Sequence, residues 1–403
     1  MKTAVVIAEF NPFHAGHAGI LRKARQKTEA DFVIVIMSGD FCQRGEPCIV
    51  EKFTRTKMAL ANGADLVLEL PSYYSLGSAE FFAGGAVHLM NALQVCDSLV
   101  FGSECGDIEK LKMLARILYD EPPAFKLQLQ AHIKEGDDFP TARTKALAHC
   151  LPESVREDAA LINAPNNLLG VEYIKMMLRT KADYEIVTAP RTAGVSSTEV
   201  RELMRNTHQR LRKSLMPESC AMLLRDYSAN TGYRYGEFQA VFEGLRHVLA
   251  LENAAGVSAM ADVGGDLARR IYKEMYGSRS MDELLDRLHT KDMTLARVRR
   301  ALMHIYLAMP QARLKGFMSK GTTVARALGF KKSASPLMNR IKTEAKVPLI
   351  TKLSQASRQL SGDDLAKELL MEDIRASLIY DQLFLQPQSY PIKTEFEKQI
   401  VVV

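Results

Sequence analysis

The sequence contains no tryptophan, and its six cysteines are scattered with no pair at C-x-x-C spacing. This distribution excludes a dense disulfide framework, argues against a structural zinc site, and fits ordinary thiols in a reducing compartment. No segment approaches the roughly 18–20 uninterrupted apolar residues that span a bilayer. The opening residues, MKTAVVIAEF, reach Glu9 before the apolar core of an export signal is complete. We therefore expect a cytoplasmic protein with no membrane segment.

The composition is otherwise that of a globular protein. Of 403 residues, 47% are hydrophobic and 25% are charged. This balance excludes a mostly disordered chain, a collagen-like repeat and a long coiled coil. The length favours two domains, with three as the alternative.

Acidic residues are nearly absent from residues 287–352, which contain fifteen basic side chains and two acidic ones. A solvated helical surface usually mixes both signs of charge. The one-sided region therefore favours a polyanionic partner, and nucleic acid is the commonest soluble polyanion.

Short apolar runs alternate with helical patterns in the first half of the chain. Continuous apolar strands separated by helices indicate a parallel sheet covered on both faces, so we expect an α/β domain over residues 1–215. A helical insertion is expected at about 107–160, and residues 216–403 have almost no strand pattern and predict an α-helical domain. The predicted strands are 3–8, 32–37, 66–70, 99–101 and 184–188, and the predicted helices of this half include 17–28, 52–62, 78–93, 167–178 and 198–206.

The turn between the first strand and the first helix, residues 9–17, reads EFNPFHAGH. An α/β sheet presents its ligand at this kind of position, and unpaired amides at a helix start favour phosphate. His14 and His17 are one helical turn apart, so both could donate to phosphate oxygens, and Gly16 would allow close approach of a nucleotide. The pattern suits ATP, with Mg²⁺ carried on its phosphates, positioned for attack at the α-phosphate. Two structural histidines and a metal site are the alternatives, but no further metal ligand can be assigned, so none is predicted from protein side chains.

A second polar segment begins a later helix. Ser196, Ser197 and Thr198, with Arg201 one turn further, form a candidate phosphate cradle in which Ser197 is a possible N-cap. The alternative is an ordinary helix cap. Residues 318–320 read Met-Ser-Lys, which resembles the core of the second motif of class I aminoacyl-tRNA synthetases. We expect this tripeptide to lie in a loop that faces solvent or tRNA.

Several blocks are similar to those of one family. Residues 37–47 (MSGDFCQRGEP), 101–104 (FGSE), 164–173 (APNNLLGVEY) and 291–302 (KDMTLARVRRAL) resemble bacterial tRNA(Met) cytidine acetate ligases, and so do residues 328–330 (LGF). These ligases belong to the H-x-G-H nucleotidyltransferase superfamily. The resemblance implies a Rossmann-like H-x-G-H nucleotidyltransferase domain with a parallel sheet, followed by an α-helical tRNA-binding domain.

The resemblance also implies an activity. Acetate would be activated with ATP to acetyl-adenylate and pyrophosphate, and the acetyl group would pass to the wobble cytidine of elongator tRNA(Met). His14 and His17 would be catalytic. The ATP-binding residues that it implies are Ile7, Ala8, Glu9, Phe10, Asn11, Pro12, Phe13, His14, Ala15, Gly16, His17, Ala18, Gly19, Ile20, Gly102, Asn166 or Asn167, Arg191 and Thr192.

Basic residues are the candidates for contact with the tRNA backbone. No stable protein partner is predicted. The candidate tRNA-binding residues are Arg44, Arg297, Arg299, Arg300, Arg326, Lys331 and Lys332.

Two alternatives to the ligase stay open: an adenylyltransferase that acts on a small phosphorylated metabolite, and a non-catalytic RNA-binding protein.

Overall fold

The structure is a computed structural model that describes residues 1–190, 196–206, 215–291, 293–386, 389 and 391–403, with backbone only at 205–206 and 228–231. The predicted residues Arg191 and Thr192 lie outside the described residues. Within the described ranges there are ten strands: β1 (Thr3–Ala8), β2 (Phe32–Ser38), β3 (Phe41–Cys42), β4 (Glu46–Pro47), β5 (Leu66–Leu70), β6 (Ser98–Ser103), β7 (Glu185–Pro190), β8 (Ala325–Phe330), β9 (Leu349–Ile350) and β10 (Val401–Val402).

Eight of these strands form one mixed, largely parallel sheet. Its order is β10-β8-β5-β2-β1-β6-β7, with β9 paired to β8 beside this path. Strands β7, β6, β1, β2 and β5 run parallel, and β8 runs antiparallel to β5. Strands β1, β2 and β5 are buried almost throughout, as their continuous apolar sequences predict. The α/β fold class is therefore confirmed.

Helices cover the sheet and make up most of the second half of the chain. The helices of the first half are α1 (Ala15–Thr28), α2 (Lys52–Ala61), α3 (Ser72–Ser75), α4 (Ala79–Leu93), α5 (Ile108–Asp120), α6 (Pro123–Lys134), α7 (Phe139–His149), α8 (Pro165–Thr180) and α9 (Ser197–Asn206). Helices α5–α7 and the 3-10 helix Glu153–Asn163 occupy the position of the expected helical insertion.

The second half continues the helical numbering. Its helices are α10 (Glu218–Thr231), α11 (Val241–Leu251), α12 (Ala254–Ser258), α13 (Gly265–Met275), α14 (Met281–Leu288), α15 (Leu295–Tyr306), α16 (Gln311–Lys320), α17 (Ser335–Glu344), α18 (Ala356–Gln359) and α19 (Asp364–Phe384). The tripeptide Met318-Ser319-Lys320 ends α16, so the expectation of a loop there is wrong. Met318 packs against Gly84 of α4, where a Cβ would lie 2.7 Å from the methionine sulfur.

The expectation of almost no strand beyond residue 215 is also wrong, because β8 is an interior strand of the sheet. Its sequence, ARALGF, contains a charge and a glycine and so does not look like a buried strand. Arg326 is nevertheless buried, with Glu69 2.9 Å away and Glu395 hydrogen-bonded to its guanidinium. Contact with opposite charges makes it possible to bury this arginine, which the local sequence alone does not suggest.

Four buried charged residues, Lys52, Glu69, Arg326 and Glu395, form what we call the ionic cluster. The Lys52 Nζ atom lies 2.8 Å from a Glu69 oxygen and 3.1 Å from a Glu395 oxygen. Burial raises the pKa of the Glu395 carboxyl, but the Lys52 and Arg326 charges outweigh it and hold this pKa well below its usual range. The cluster joins α2 and β5 to β8 and to the segment before β10.

Candidate active site

A cavity of about 300 Å³ opens at the carboxyl ends of β1, β6 and β7. The chain extends from β1 through β2 to β5 on one side and then returns to the other side of β1 for β6 and β7. Open α/β sheets bind their ligands where the strand order reverses in this way. The turn 9–17 and the start of α9 both border the cavity.

His14 and His17 lie at the start of α1 with their rings stacked, 3.6 Å between centroids. His14 is the N-cap residue, and its Nδ1 accepts the Gly16 N–H at 3.1 Å. The Nδ1 of His17 accepts the His14 N–H at 3.2 Å. Each Nδ1 thus has an acceptor role, so each neutral ring carries its proton on Nε2. The two imidazoles are therefore arranged as Nε2–H donors.

The turn beneath the histidines is tightly packed. Phe10 and Phe13 are buried, and their rings lie 4.8 Å and 5.6 Å from that of His17. Phe10 has a φ of +50°, an uncommon conformation for a bulky side chain that neighbouring packing must hold in place. The Asn11 side chain accepts the Ile49 N–H at 2.7 Å. These residues support the histidines from below, and of the three Phe10 also lines the cavity.

The amides of α1 differ from the expectation that they are open to phosphate. The Ala15 N–H donates to the carbonyl of Leu215 at 3.0 Å, and the Gly16 N–H donates to the His14 ring. A Cβ on Gly16 would lie 2.9 Å from His14 Cε1. Gly16 therefore makes room for the imidazole, and α1 offers phosphate its histidine side chains instead of its first amides.

The start of α9 does present open amides. Ser196 and Ser197 border the cavity, and the Ser196 hydroxyl accepts the Glu199 N–H at 3.1 Å. Ser196 is thus the capping residue, and the assignment of Ser197 as N-cap is wrong. Among the described residues, the Ser197 and Thr198 N–H groups have no hydrogen-bond acceptor. A helix start with free amides favours an anion.

Arg201 is placed differently from the prediction. It is buried, does not line the cavity, and donates to the Asn11 carbonyl at 2.9 Å. Its guanidinium also contacts the Thr198 hydroxyl at 3.3 Å and lies 3.5 Å from Glu46. Arg201 therefore joins the start of α9 to the histidine turn from beneath, where the sequence suggested a direct phosphate contact.

The predicted ATP-binding residues divide into two groups. Those that line the cavity are Ile7, Ala8, Glu9, Phe10, His14, Gly16, His17, Gly19, Ile20, Gly102 and Asn166, together with the cradle residues Ser196 and Ser197. Those that lie outside its lining are Asn11, Pro12, Phe13, Ala15, Ala18 and Asn167, together with the cradle residues Thr198 and Arg201.

The two adjacent asparagines have different environments. Asn166 is at the cavity, and its side-chain amide donates to Glu104 at 2.7 Å. Asn167 is buried, and its oxygen accepts the Ser103 hydroxyl at 2.7 Å and the Glu104 N–H at 2.9 Å. Asn167 shapes the loop after β6, so Asn166 is the better placed of the two to contact a ligand.

Several residues that line the cavity are not predicted from the sequence. Lys23 lies on α1 at the cavity and donates to the Pro190 carbonyl at 3.1 Å. It follows Gly16, Gly19 and Ile20 at helical intervals, so the periodicity of α1 could have identified it. The other described residues that were missed are Val6, Gln43, Phe82, Phe101, Pro165, Leu169, Tyr173, Ala189 and Pro190.

Glu9 is the one carboxylate among the described residues that line the cavity. Its Oε1 accepts the Gln43 N–H at 2.8 Å. Burial raises the pKa of the Glu9 carboxyl, although the Arg44 charge, the Gln43 hydrogen bond and the Arg201 charge oppose this rise.

The hairpin formed by β3 and β4 connects the cavity to α15. Arg44 at its tip is exposed, lines the cavity, and donates to the Thr198 hydroxyl at 3.3 Å. The next residue, Gly45, has a φ of +77°, and a Cβ there would lie 2.3 Å from the Arg300 backbone nitrogen. The hairpin tip therefore packs directly on the backbone of α15.

The candidate tRNA-binding residues are not equivalent. Arg297 is exposed and has no ion pair with a described residue, and Lys332 is also exposed. The prediction for Arg326 is wrong, because its burial in the ionic cluster keeps it from solvent. Arg300 pairs with Asp262 at 2.8 Å and is largely buried, which removes it from the exposed face.

The remaining two candidates are half-buried. Arg299 lies 3.9 Å from Glu46, and Lys331 lies 3.7 Å from Asp65.

In the described part of the chain, one group of side chains could ligate a metal ion. It consists of His132, Glu135 and Asp137 at the end of α6, and it does not line the cavity. No helix in the described ranges has the length and apolarity needed to cross a bilayer.

The chain is similar to known proteins over nearly its whole length. The sequence model described as HIGH Nucleotidyl Transferase matches residues 1–395. A protein of Halothermothrix orenii named tRNA(Met) cytidine acetate ligase is 34% identical, with 98% of each chain covered. A Caldicellulosiruptor saccharolyticus protein of the same name is 36% identical and covers 100% of this chain and 99% of its own.

Solved structures are similar over the whole chain. The crystal structure of Thermotoga maritima TmcAL bound with alpha-thio ATP has a TM-score of 0.94 and 30% identity, and covers 100% of this chain and 99% of its own. The apo structure of the same protein also has a TM-score of 0.94, with 29% identity and 100% of both chains covered.

Proposed function

This chain belongs to the HIGH nucleotidyl transferase family and, within it, to the tRNA(Met) cytidine acetate ligases, and we propose that it acetylates a tRNA cytidine by way of acetyl-adenylate. ATP and acetate would react first, with loss of pyrophosphate. The acetyl group would then pass to the exocyclic amine of the wobble cytidine of elongator tRNA(Met), giving N-acetylcytidine and AMP. The observation that carries this proposal is the cavity in which His14, His17 and the start of α9 converge.

The chemistry explains why ATP is needed. A carboxylate is a poor acyl donor until one of its oxygens becomes part of a good leaving group, which adenylation achieves. The cytidine amine is a weak nucleophile, so holding it beside the mixed anhydride in a fixed orientation lowers the barrier to transfer.

The cationic groups around the cavity suit the triphosphate. The Nε2–H groups of His14 and His17 would stabilise charge that develops on the phosphates, and Lys23 and Arg44 would supply positive charge. The open amides of Ser197 and Thr198 would bind a phosphate oxygen. Mg²⁺ commonly binds through substrate phosphates with few protein ligands, and a cavity lined by one described carboxylate fits Mg²⁺ carried on ATP.

The position of the hairpin supports a path for tRNA. Arg44 is at the cavity, Gly45 packs on α15, and Arg297 lies on the exposed face of that helix. A tRNA backbone along α15 would bring an anticodon base to the cavity past Arg44, with the base turned out of its stack. We place this reaction in the cytoplasm, because its proposed substrate is tRNA and all six cysteines are free.

A reconstituted reaction tests the proposal. Protein, ATP, Mg²⁺, acetate and elongator tRNA(Met) should release pyrophosphate and yield acetylcytidine by mass analysis of the nucleosides, whereas acetyl-CoA without ATP should not. Acetylation from acetyl-CoA alone would contradict the adenylate route. AMP transfer to a phosphorylated metabolite, with no change in the tRNA, would favour the adenylyltransferase instead.

A further inference from the structure

We propose that Glu9 is the catalytic residue that holds the exocyclic amine of the target cytidine and takes its proton during acetyl transfer. This inference rests on the proposed function and assigns a chemical role to one residue of the same site. It concerns the second step only, after acetyl-adenylate has formed.

The position of Glu9 is the first argument. The residue directly follows β1, at the centre of the sheet's carboxyl edge, and is only partly buried. The Gln43 N–H donates to Oε1 at 2.8 Å and so fixes the orientation of the carboxyl group. No other described residue that lines the cavity has a carboxylate.

The charge of Glu9 is the second argument. A carboxylate facing the same cavity as a triphosphate repels it, and His14, His17, Lys23 and Arg44 already supply groups suited to phosphate. Glu9 therefore suits a different part of the substrates, one with hydrogen-bond donors. The cytosine amine is such a donor, and carboxylates accept hydrogen bonds from it in nucleic-acid recognition.

The groups around Glu9 set its proton affinity. Arg44 and Glu46 face it from the hairpin, and Arg201 faces it from α9. Cys42 of β3 and Tyr173 of α8 also interact with its charge. Burial raises the pKa of Glu9 despite the two arginines, which makes the carboxylate a stronger base than an exposed glutamate.

The proposed step balances. The cytidine nitrogen forms a bond to the acetyl carbon, and the bond from that carbon to the adenylate oxygen breaks. One proton of the amine passes to the Glu9 carboxylate. AMP leaves with the electron pair of the broken bond, and Glu9 later returns its proton to solvent.

The test is Glu9→Gln, measured separately on each half-reaction. Glutamine keeps an oxygen that can accept the Gln43 N–H, so the fold should be preserved, which thermal unfolding checks. Acetate-dependent exchange of pyrophosphate into ATP should stay within about threefold of the wild type, whereas single-turnover acetyl transfer to tRNA should fall by about 100-fold or more. Glu80→Gln, at an exposed position on α4 paired with Arg179, is the matched control and should affect neither step.

The pH profile gives a second measurement. The wild-type transfer rate should rise with pH as Glu9 loses its proton, and this acid limb should be missing in Glu9→Gln. Equal losses in exchange and transfer would overturn the inference, since Glu9 would then act on ATP or Mg²⁺. Normal transfer by the variant would also overturn it. A wild-type protein that makes no acetylcytidine would instead refute the proposed function.

Discussion

The Nε2 atom of His14 lies 3.2 Å from the hydroxyl oxygen of Ser197, although the two residues are 183 positions apart in the sequence. Because His14 Nδ1 accepts a backbone N–H, Nε2 is the donor in this contact. The contact joins the first strand-to-helix turn to the start of α9, and a phosphate bound between them would meet both the imidazoles and the open amides.

His14 can be tested without removing its helix cap. Asparagine is a good N-cap residue, so His14→Asn should keep the cap for the Gly16 N–H but lose the Nε2 donor. We expect adenylate formation, measured by pyrophosphate exchange, to fall by about 100-fold, as for a lost donor to a transition state. The melting temperature should change little. An exchange rate near that of the wild type would remove His14 from the chemistry.

The two asparagines provide a contrast between binding and folding. Asn167→Ala would remove the buried side-chain oxygen that accepts the Ser103 hydroxyl and the Glu104 N–H, and should lower the free energy of unfolding by about 1–3 kcal/mol. Asn166→Ala should instead raise the KM for ATP with little loss of stability. Urea unfolding and steady-state kinetics measure the two effects, and the reverse assignment would contradict the geometry.

Gly45 should resist substitution because of its close approach to α15. Gly45→Ala combines a positive φ with a Cβ 2.3 Å from the Arg300 nitrogen, so the hairpin must shift and carry Arg44 with it. The positive φ alone costs about 1–3 kcal/mol. Gly136→Ala is the matched control, since its φ is +93° and no atom lies within 4 Å of its Cβ position.

Only the Gly45 variant should lose ATP affinity as well as stability. Affinity is measured by calorimetric titration of a non-hydrolysable ATP analogue. Equal losses in the Gly45 and Gly136 variants would show that the packing on α15 has no part in placing Arg44.

Arg297 should contribute to tRNA affinity through the phosphate backbone. Arg297→Ala should weaken tRNA binding at low salt and reduce the slope of log affinity against log salt by about 1. Arg116→Ala removes an exposed charge from α5 in the insertion and is the control. A slope that is the same in wild type and Arg297→Ala would place the tRNA elsewhere.

Asp373 predicts a pH dependence of stability. Burial, followed by the Glu69 charge, raises its pKa from 3.8 to about 7. The folded protein therefore binds more protons than the unfolded chain between these values, and this group's contribution to stability is lost as pH rises from about 4 to 7. Asp373→Asn should remove that loss, so its stability relative to wild type should increase over this range.

Urea unfolding at several pH values measures this difference. Asparagine can still accept the Ser72 N–H that Asp373 binds at 2.6 Å, so the comparison isolates the charge. Exposed Asp183→Asn is the control. A constant difference between Asp373→Asn and wild type at all pH values would contradict the prediction.

The sequence predicts the central strands well because each is a continuous apolar run. The predicted bounds 3–8 and 66–70 are those of β1 and β5. Strand β8 escapes prediction, because the partners that allow Arg326 to be buried come from residues 69 and 395. Such distant pairings have no local pattern.

The candidate site is likewise predictable where its residues are close in sequence and not where distant segments meet. The position of His14 and His17 follows from a strand, a turn and a helix that are adjacent in sequence, and the structure brings Ser196 and Ser197 to the same cavity. The sequence does not reveal that Arg201 binds Asn11 from beneath, because this contact requires two distant segments to meet. The division of the chain at about residue 215 stays a prediction, although β8 joins the sheet from beyond it.

The late arrival of β8 has a consequence for synthesis on the ribosome. Strand β5 is complete by residue 70, yet the strand that covers its free edge ends only at residue 330. An apolar edge with unpaired amides and carbonyls is prone to pair with other chains. For most of translation the nascent chain therefore has an unpaired strand edge, and chaperone binding should be strongest until β8 has emerged from the ribosome.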